Sequence, residues 1–276
     1  MFQFINDMLS EFRECFKRER TWSWFVCAVV AFMVRNEHRG VTNIISALRI
    51  KPWLYEAAVH FFRSDAYAVH ELYERWTETA QVSIALYEES GRVILLGDHT
   101  KASKEGRRMP DVTVLHQESD NSGKPEYIEG HNYGFICALA TNGTTFRPLT
   151  LKAELQEGKS KTGGPSLIEQ IVECGGQVTN TLGKPATLIL DAYFCSGNTF
   201  TTAERLLNEH GCRILEIITR AKSDTIAYTL PVAADTRPKR GHPRKYGEKV
   251  KLNSLFISSA GMFTETSLDY VQPLFM

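Results

Sequence analysis

The spacing of apolar positions divides the chain into two regimes. Up to residue 85, apolar side chains recur at three- and four-residue steps: Phe12 and Phe16; Val41, Ile44, Ile45 and Leu48; Leu54, Ala57, Ala58, Phe61 and Phe62; Leu72 and Trp76. That period gathers them on one face of successive helices. Gly40 punctuates one boundary, and Pro52 suits the first turn of the next helix, where no N–H has to be donated. The run Trp22–Val34, between Arg20 and Arg35, is 13 residues long. A membrane span needs about 20, so the run predicts a buried helix. Residues 41–63 fit either a helix-turn-helix with its link at Ile50-Lys51 or a plain helical bundle.

From residue 90 the period changes. Arg92–Leu96 is a short apolar run bounded by Ser90-Gly91 and Gly97-Asp98, and it predicts a strand. A long polar stretch, 99–132, shows little periodicity. Gly134–Ala140 and Thr145–Leu151 flank Asn142-Gly143, a strong hairpin signal. Pro165–Cys174 predicts a helix with Leu167, Ile168, Ile171 and Val172 on one face. Ala186–Leu190 reads as a buried strand ending at Asp191, Thr199–His210 as a helix stopped by Gly211, and Arg213–Ile218 as a further strand. Strand, hairpin, helix, strand, helix, strand is the order of a mixed sheet: an antiparallel meander followed by parallel β-α-β units.

Composition narrows the class. The chain has 276 residues, 43% of them hydrophobic and 23% charged, which excludes a disordered tail, a collagen-like repeat or a disulfide mini-protein. Its 32 basic and 32 acidic residues balance, so no global positive charge advertises nucleic acid. The balance is local only in part. Residues 87–236 carry 15 basic and 19 acidic groups, and residues 237–276 carry 7 and 3. The seven are Arg237, Lys239, Arg240, Arg244, Lys245, Lys249 and Lys251, all within fifteen residues and punctuated by Pro238, Gly241, Pro243 and Gly247. The run 237–245 resembles an AT-hook with His242 in place of the second core arginine. Phosphate contact needs only its charge density. Six scattered cysteines form no CxxC pair and no Cys/His zinc spacing, as expected for buried thiols in a reducing compartment and hence a cytoplasmic protein.

Two aspartates stand out. Asp98 and Asp191 each end a predicted strand, and such rims are where ligands collect in α/β folds. If the two strands lie side by side, the carboxylates converge and suit Mg²⁺ or Mn²⁺. Each also fits a plain turn or cap residue. Ala153, Gly158, Lys159 and Ser160 match a loose phosphate-loop spacing, a remote nucleotide-binding alternative. Glu154, Leu155, Gln156 and Glu157 fill that loop where a phosphate cradle wants glycine, and the two acids repel an anion.

Longer blocks carry a resemblance. Leu96-Gly97-Asp98-His99-Thr100-Lys101, Lys104–Pro110, Leu115–Ser119 and Lys124–His131, then Leu190–Gly197, Ile218–Ala221 and Arg240–Gly247, resemble DDE transposases of bacterial insertion sequences in the same order, over about residues 20–256. The resemblance implies an α/β fold: a ribonuclease-H-like mixed sheet (87–223), preceded by an all-α DNA-binding region (1–86) and followed by a partial β-rich insertion (224–276). It implies Asp98 and Asp191 as the first two catalytic carboxylates and metal ligands of a two-metal phosphoryl transfer. It also implies double-stranded DNA (transposon ends and target) as partner and a homodimer in the transposition complex. The family's third carboxylate, a Glu in a Tyr…Arg…Glu…Lys setting, has no counterpart here. After Glu248 only Glu265 and Asp269 are acidic. The expectation is therefore a C-terminally shortened transposase impaired in catalysis, or a non-catalytic fragment that binds DNA and represses the intact enzyme.

Overall fold

The computed structural model describes residues 2–34, 40–104, 109–117, 125–157, 164–207, 211–231 and 245–262. Two compact units emerge, residues 1–218 and 219–276. The first begins with five helices: α1 (Phe2–Ser10), α2 (Glu19–Val34), α3 (Val41–Ala47), α4 (Tyr55–Phe62) and α5 (Val69–Ser83). Their apolar stripes meet in an aromatic cluster, with Phe12, Phe16, Ala28 and Phe61 buried and Trp22, Phe25 and Tyr67 packed around them. The Phe16 and Phe25 rings lie 4.8 Å apart and the Phe61 and Tyr67 rings 5.0 Å. α2 covers the 13-residue apolar run but is not enclosed: Ala28 and Ala31 are buried, while Met33 and Val34 are 57% and 56% exposed. Among the described residues its burial is one-sided, so the expected buried helix is only partly enclosed. Between α3 and α4 the chain turns through Arg49 at φ 51° and re-enters helix at Pro52, which opens a 3-10 turn.

The sheet follows. β1 (Glu88–Glu89), β2 (Arg92–Ser103), β3 (Thr113–His116), β4 (Tyr127–Thr141), β5 (Phe146–Gln156), β6 (Ala186–Leu190) and β7 (Leu215–Thr219) form seven strands, with α6 (Leu167–Leu182) and α7 (Gly197–Arg205) between the later ones. The path is β3-β4-β2-β6-β7, with β5 on β4 and β1 on β2. β2 is antiparallel to β4 and parallel to β6. The mixed α/β class expected from the sequence is thus observed, with the strand order β5-β4-β2-β6-β7 at its centre. The hairpin turn is the expected one: Asn142 Oδ1 accepts from the Thr144 and Thr145 N–H groups, and Gly143 takes φ 87°.

One apolar core lies between this sheet and α6. Val93, Leu95, Ile136, Leu151, Leu188 and Leu190 meet Ile171, Val172 and Val178. Ser166 and Glu169 start α6 with a reciprocal capping box, and Gly183 ends it at φ 64°. α6 runs eight residues beyond its expected end at Cys174. Gly175 and Gly176 read as a stop, yet a Cβ on them would lie 2.9 Å from Leu188 Cδ2 and 2.7 Å from Leu206 Cδ1. They are there for close helix packing. α7 stops earlier than expected, at Arg205, because the chain turns into a bridge between Leu207 and Arg213. Trp76 ties the helices to the sheet by donating from Nε1 to the Thr150 carbonyl at 2.7 Å, on β5. Among the described residues, no helix is long and apolar enough to cross a membrane.

Among the described residues of the second unit, β8 (Ile226–Tyr228) pairs antiparallel with β9 (Lys249–Lys251), and the helix α8 (Leu252–Ser258) follows.

Candidate active site

β2 does not end at Leu96. It continues through Gly97 and Asp98 to Ser103, because β4 stays paired with it throughout. What ends near Asp98 is the parallel partner. β6 pairs with β2 from Val93↔Ala186 to Gly97↔Leu190 and then leaves the sheet. Asp98 and Asp191 are the next residues on each strand, so the register sets them side by side. A Cβ at position 97 would lie 2.7 Å from Leu190 Cδ2 and 3.2 Å from Leu188 Cδ1. Glycine is what allows the strands to close beneath the aspartates.

Each carboxylate is partly fixed by backbone. An Asp98 oxygen accepts from the His99 N–H at 2.7 Å. An Asp191 oxygen accepts from the Tyr193 N–H at 2.9 Å, capping the 3-10 turn Ala192–Phe194. Both aspartates are exposed. They border one hollow of about 70 Å³, together with His99, Lys101, Asn132, Leu167, Tyr193 and Phe194.

His99 leaves β2 on the face opposite Asp98. Its ring packs edge-on against Phe194, with centroids 5.0 Å apart. Burial pushes its pKa below the ordinary imidazole value; Gln156 and Asp98 oppose that shift, and Lys101 adds to it. The ring is therefore neutral at pH 7. Lys101 Nζ donates to the His116 carbonyl at 2.7 Å, tying β2 to β3.

Two oxygen-only donors at a solvent-facing rim suit a hard divalent cation such as Mg²⁺. Among the described residues no group of three or more His, Cys, Asp or Glu side chains stands close enough to hold a metal ion. Glu265 and Asp269 lie outside the described residues.

A family profile of the DDE superfamily endonucleases matches residues 11–256. The chain belongs to this family. No curated protein matches it. Among solved structures, this DDE superfamily chain is similar to the Mos1 transposase paired-end complex with left transposon end, at 11% identity and a TM-score of 0.24, over 74% of this chain and 60% of that one. The chain thus spans less than two thirds of the length of that transposase.

The remaining sequence candidates fall elsewhere. Arg237, Lys239, Arg240 and Arg244 lie outside the described residues. Lys245, Lys249 and Lys251 are exposed in the second unit, on and near β9, and Lys245 Nζ stands 5.6 Å from the centre of the Tyr246 ring. Of the loose phosphate-loop motif, Gly158, Lys159 and Ser160 lie outside the described residues. Ala153–Gln156 are strand residues of β5, paired with Phe135, Gly134, Tyr133 and Asn132. Backbone committed to a ladder cannot wrap a phosphate, so the phosphate-loop expectation is set aside there. Sequence reasoning did not find Asn132, because no spacing marks a lone amide that only the pairing of β2 and β4 brings to the site, nor Gln156, which β5 sets beside Asn132 and the His99 ring.

Proposed function

We propose that this chain is a DNA transposase of the DDE type, cleaving and joining DNA strands by phosphoryl transfer at Asp98 and Asp191. The observation that carries the reading is the β2–β6 register, which brings together two carboxylates 93 residues apart in the chain. Both would hold Mg²⁺ or Mn²⁺. A divalent ion bound there supplies Lewis-acid charge for the attacking water or 3′-OH and for the leaving oxygen. Asp98 and Asp191 keep their positions through the His99 and Tyr193 amides, while neutral His99 adds no competing charge. The substrate would be duplex DNA, at the transposon ends and the target.

In this reading residues 1–86 are a DNA-binding helical region, 87–223 the catalytic core and 224–276 part of an inserted segment whose basic residues hold phosphates. The protein would act as a homodimer in the cytoplasm.

A second reading is favoured by one observation, the lack of a third metal-ligating side chain near the pair among the described residues. A chain with two carboxylates would bind transposon ends and repress the intact enzyme without cutting. Nicking of a terminal-repeat duplex with Mg²⁺, compared with Asp98→Asn and Asp191→Asn, separates the two. Cleavage lost in both variants supports the transposase. Tight end binding with no cleavage by the unaltered chain supports the repressor, and neither cutting nor end binding would overturn both.

A further inference from the structure

Four buried side-chain atoms beside the candidate site make no hydrogen bond to another protein group: His99 Nε2, Asn132 Oδ1 and Nδ2, and Gln156 Oε1. Asn132 is 2% exposed and Gln156 3%. Turning the Asn132 amide over does not help, since both ends are unpaired. Gln156 Oε1 is near enough to the His99 ring to favour its protonated form, yet the two make no aligned hydrogen bond.

The strand register explains why these groups gather. Asn132 is opposite Gln156 on β5, and His99 is opposite Gly134, two residues further along β4. The side chains of His99, Asn132 and Gln156 therefore emerge on one face of the sheet. A side chain at position 134 would overlap the Gln156 amide, so Gly134 clears the way for it. Buried polar groups without partners are costly, and a concentration of them beside a hollow marks bound water. The hollow of about 70 Å³ has room for ordered water.

We propose that the inner end of this hollow is a hydration site, and that Asn132, which lines it, and Gln156, which acts on the His99 ring, are positioning residues acting through that water and His99 on the β2 backbone that carries Asp98. The link to Asp98 is short: its carboxylate accepts from the His99 N–H at 2.7 Å, so a displaced His99 turns the carboxylate. The hydration site stands on the geometry alone. The positioning role rests on the carboxylate reading given above.

The test uses the full chain with Mn²⁺ as the probe, so turnover is not required. A crystal structure should place ordered water within hydrogen-bonding distance of Asn132 and of His99 or Gln156. Asn132→Leu keeps the shape of the side chain and removes both polar atoms. It should melt no lower than the unaltered chain but bind Mn²⁺ about tenfold more weakly, the size of effect seen when outer-shell support of a metal ligand is lost. Asn132→Ser, which leaves room for an added water, should restore most of that affinity. Gln156→Met should weaken Mn²⁺ binding in the same direction, and it decides the matter if Asn132→Leu does not fold. A dry hollow overturns the hydration site. Unchanged Mn²⁺ affinity in the variants, or a loss that tracks a fall in melting temperature, overturns the positioning role. Asp98→Asn separates the two levels. If it leaves Mn²⁺ binding intact, the carboxylate reading falls and takes the positioning role with it. If it abolishes binding while the Asn132 and Gln156 variants do not weaken it, only the positioning role falls.

Discussion

Gly97 and Leu190 are register partners on neighbouring parallel strands, and an aspartate follows each of them. The closeness of the two strands depends on the absence of a side chain at 97. Gly97→Val should lower stability by about 1–3 kcal/mol, the usual cost of overpacking, as read by urea unfolding. A variant as stable as the parent would mean that Leu190 and Leu188 move aside freely.

The aspartates themselves should matter to ion binding rather than to folding, because both are exposed. Calorimetric titration with Mn²⁺ should show affinity falling at least about tenfold in Asp98→Asn and in Asp191→Asn, as the hard anionic donor is lost. Melting temperatures should stay within a few degrees of the parent. An unchanged titration in both would place the ion elsewhere.

Ser166 accepts from the Glu169 N–H, and Glu169 accepts in return from the Ser166 N–H at 2.7 Å. Ser166→Ala should cost about 1 kcal/mol through loss of the cap. Since α6 backs the strands that carry the site, thermal unfolding should remain a single transition shifted downward, not a separate early melt.

Cys174 provides a pH signature. Burial, with the Glu154 carboxylate that accepts its S–H at 2.8 Å, pushes the thiol up to about 12. A folded pKa above the unfolded value means that this stabilisation is full below about pH 9 and is lost as pH rises through 12. Cys174→Ala should therefore flatten the alkaline arm of the stability curve. In native protein at pH 8, exposed Cys212 should react with a thiol reagent well before Cys174.

Binding of duplex DNA should weaken as salt rises, with a log–log slope of about −0.9 per neutralised phosphate. Replacing Arg240, Arg244 and Lys245 with Gln should flatten that slope by about 2 to 3 units. An unchanged slope would show that the phosphates are held by other residues, the helical region first among them.

Much of this was legible from periodicity, and the gaps have physical causes. Ala186–Leu190 is legible to the residue, because its apolar run is closed by Asp191. In the pattern alone β2 stops short at Gly97 and α6 at Gly175, and both stops are glycines. Glycine reads as a breaker in one dimension, whereas here it makes space for Leu190, Leu188 and Leu206 in three. The polar part of β4 was missed because Gly130, His131 and Asn132 are buried without being apolar. The pair Asp98 and Asp191 could be picked out as strand ends, but nothing local dictates their pairing. That depends on the choice of β6 as the neighbour of β2.

That choice has a kinetic consequence. The β4–β5 hairpin closes over only four residues, Asn142–Thr145, whereas pairing Gly97 with Leu190 closes a loop of more than ninety. Loop-closure entropy grows with length, and non-local pairing tends to come late. In pulse-labelled refolding, amides of β4 and β5 should gain protection before those of β6. A chain caught midway would then have a formed hairpin and two aspartates still strangers to each other, so recovery of ion binding should trail recovery of strand content.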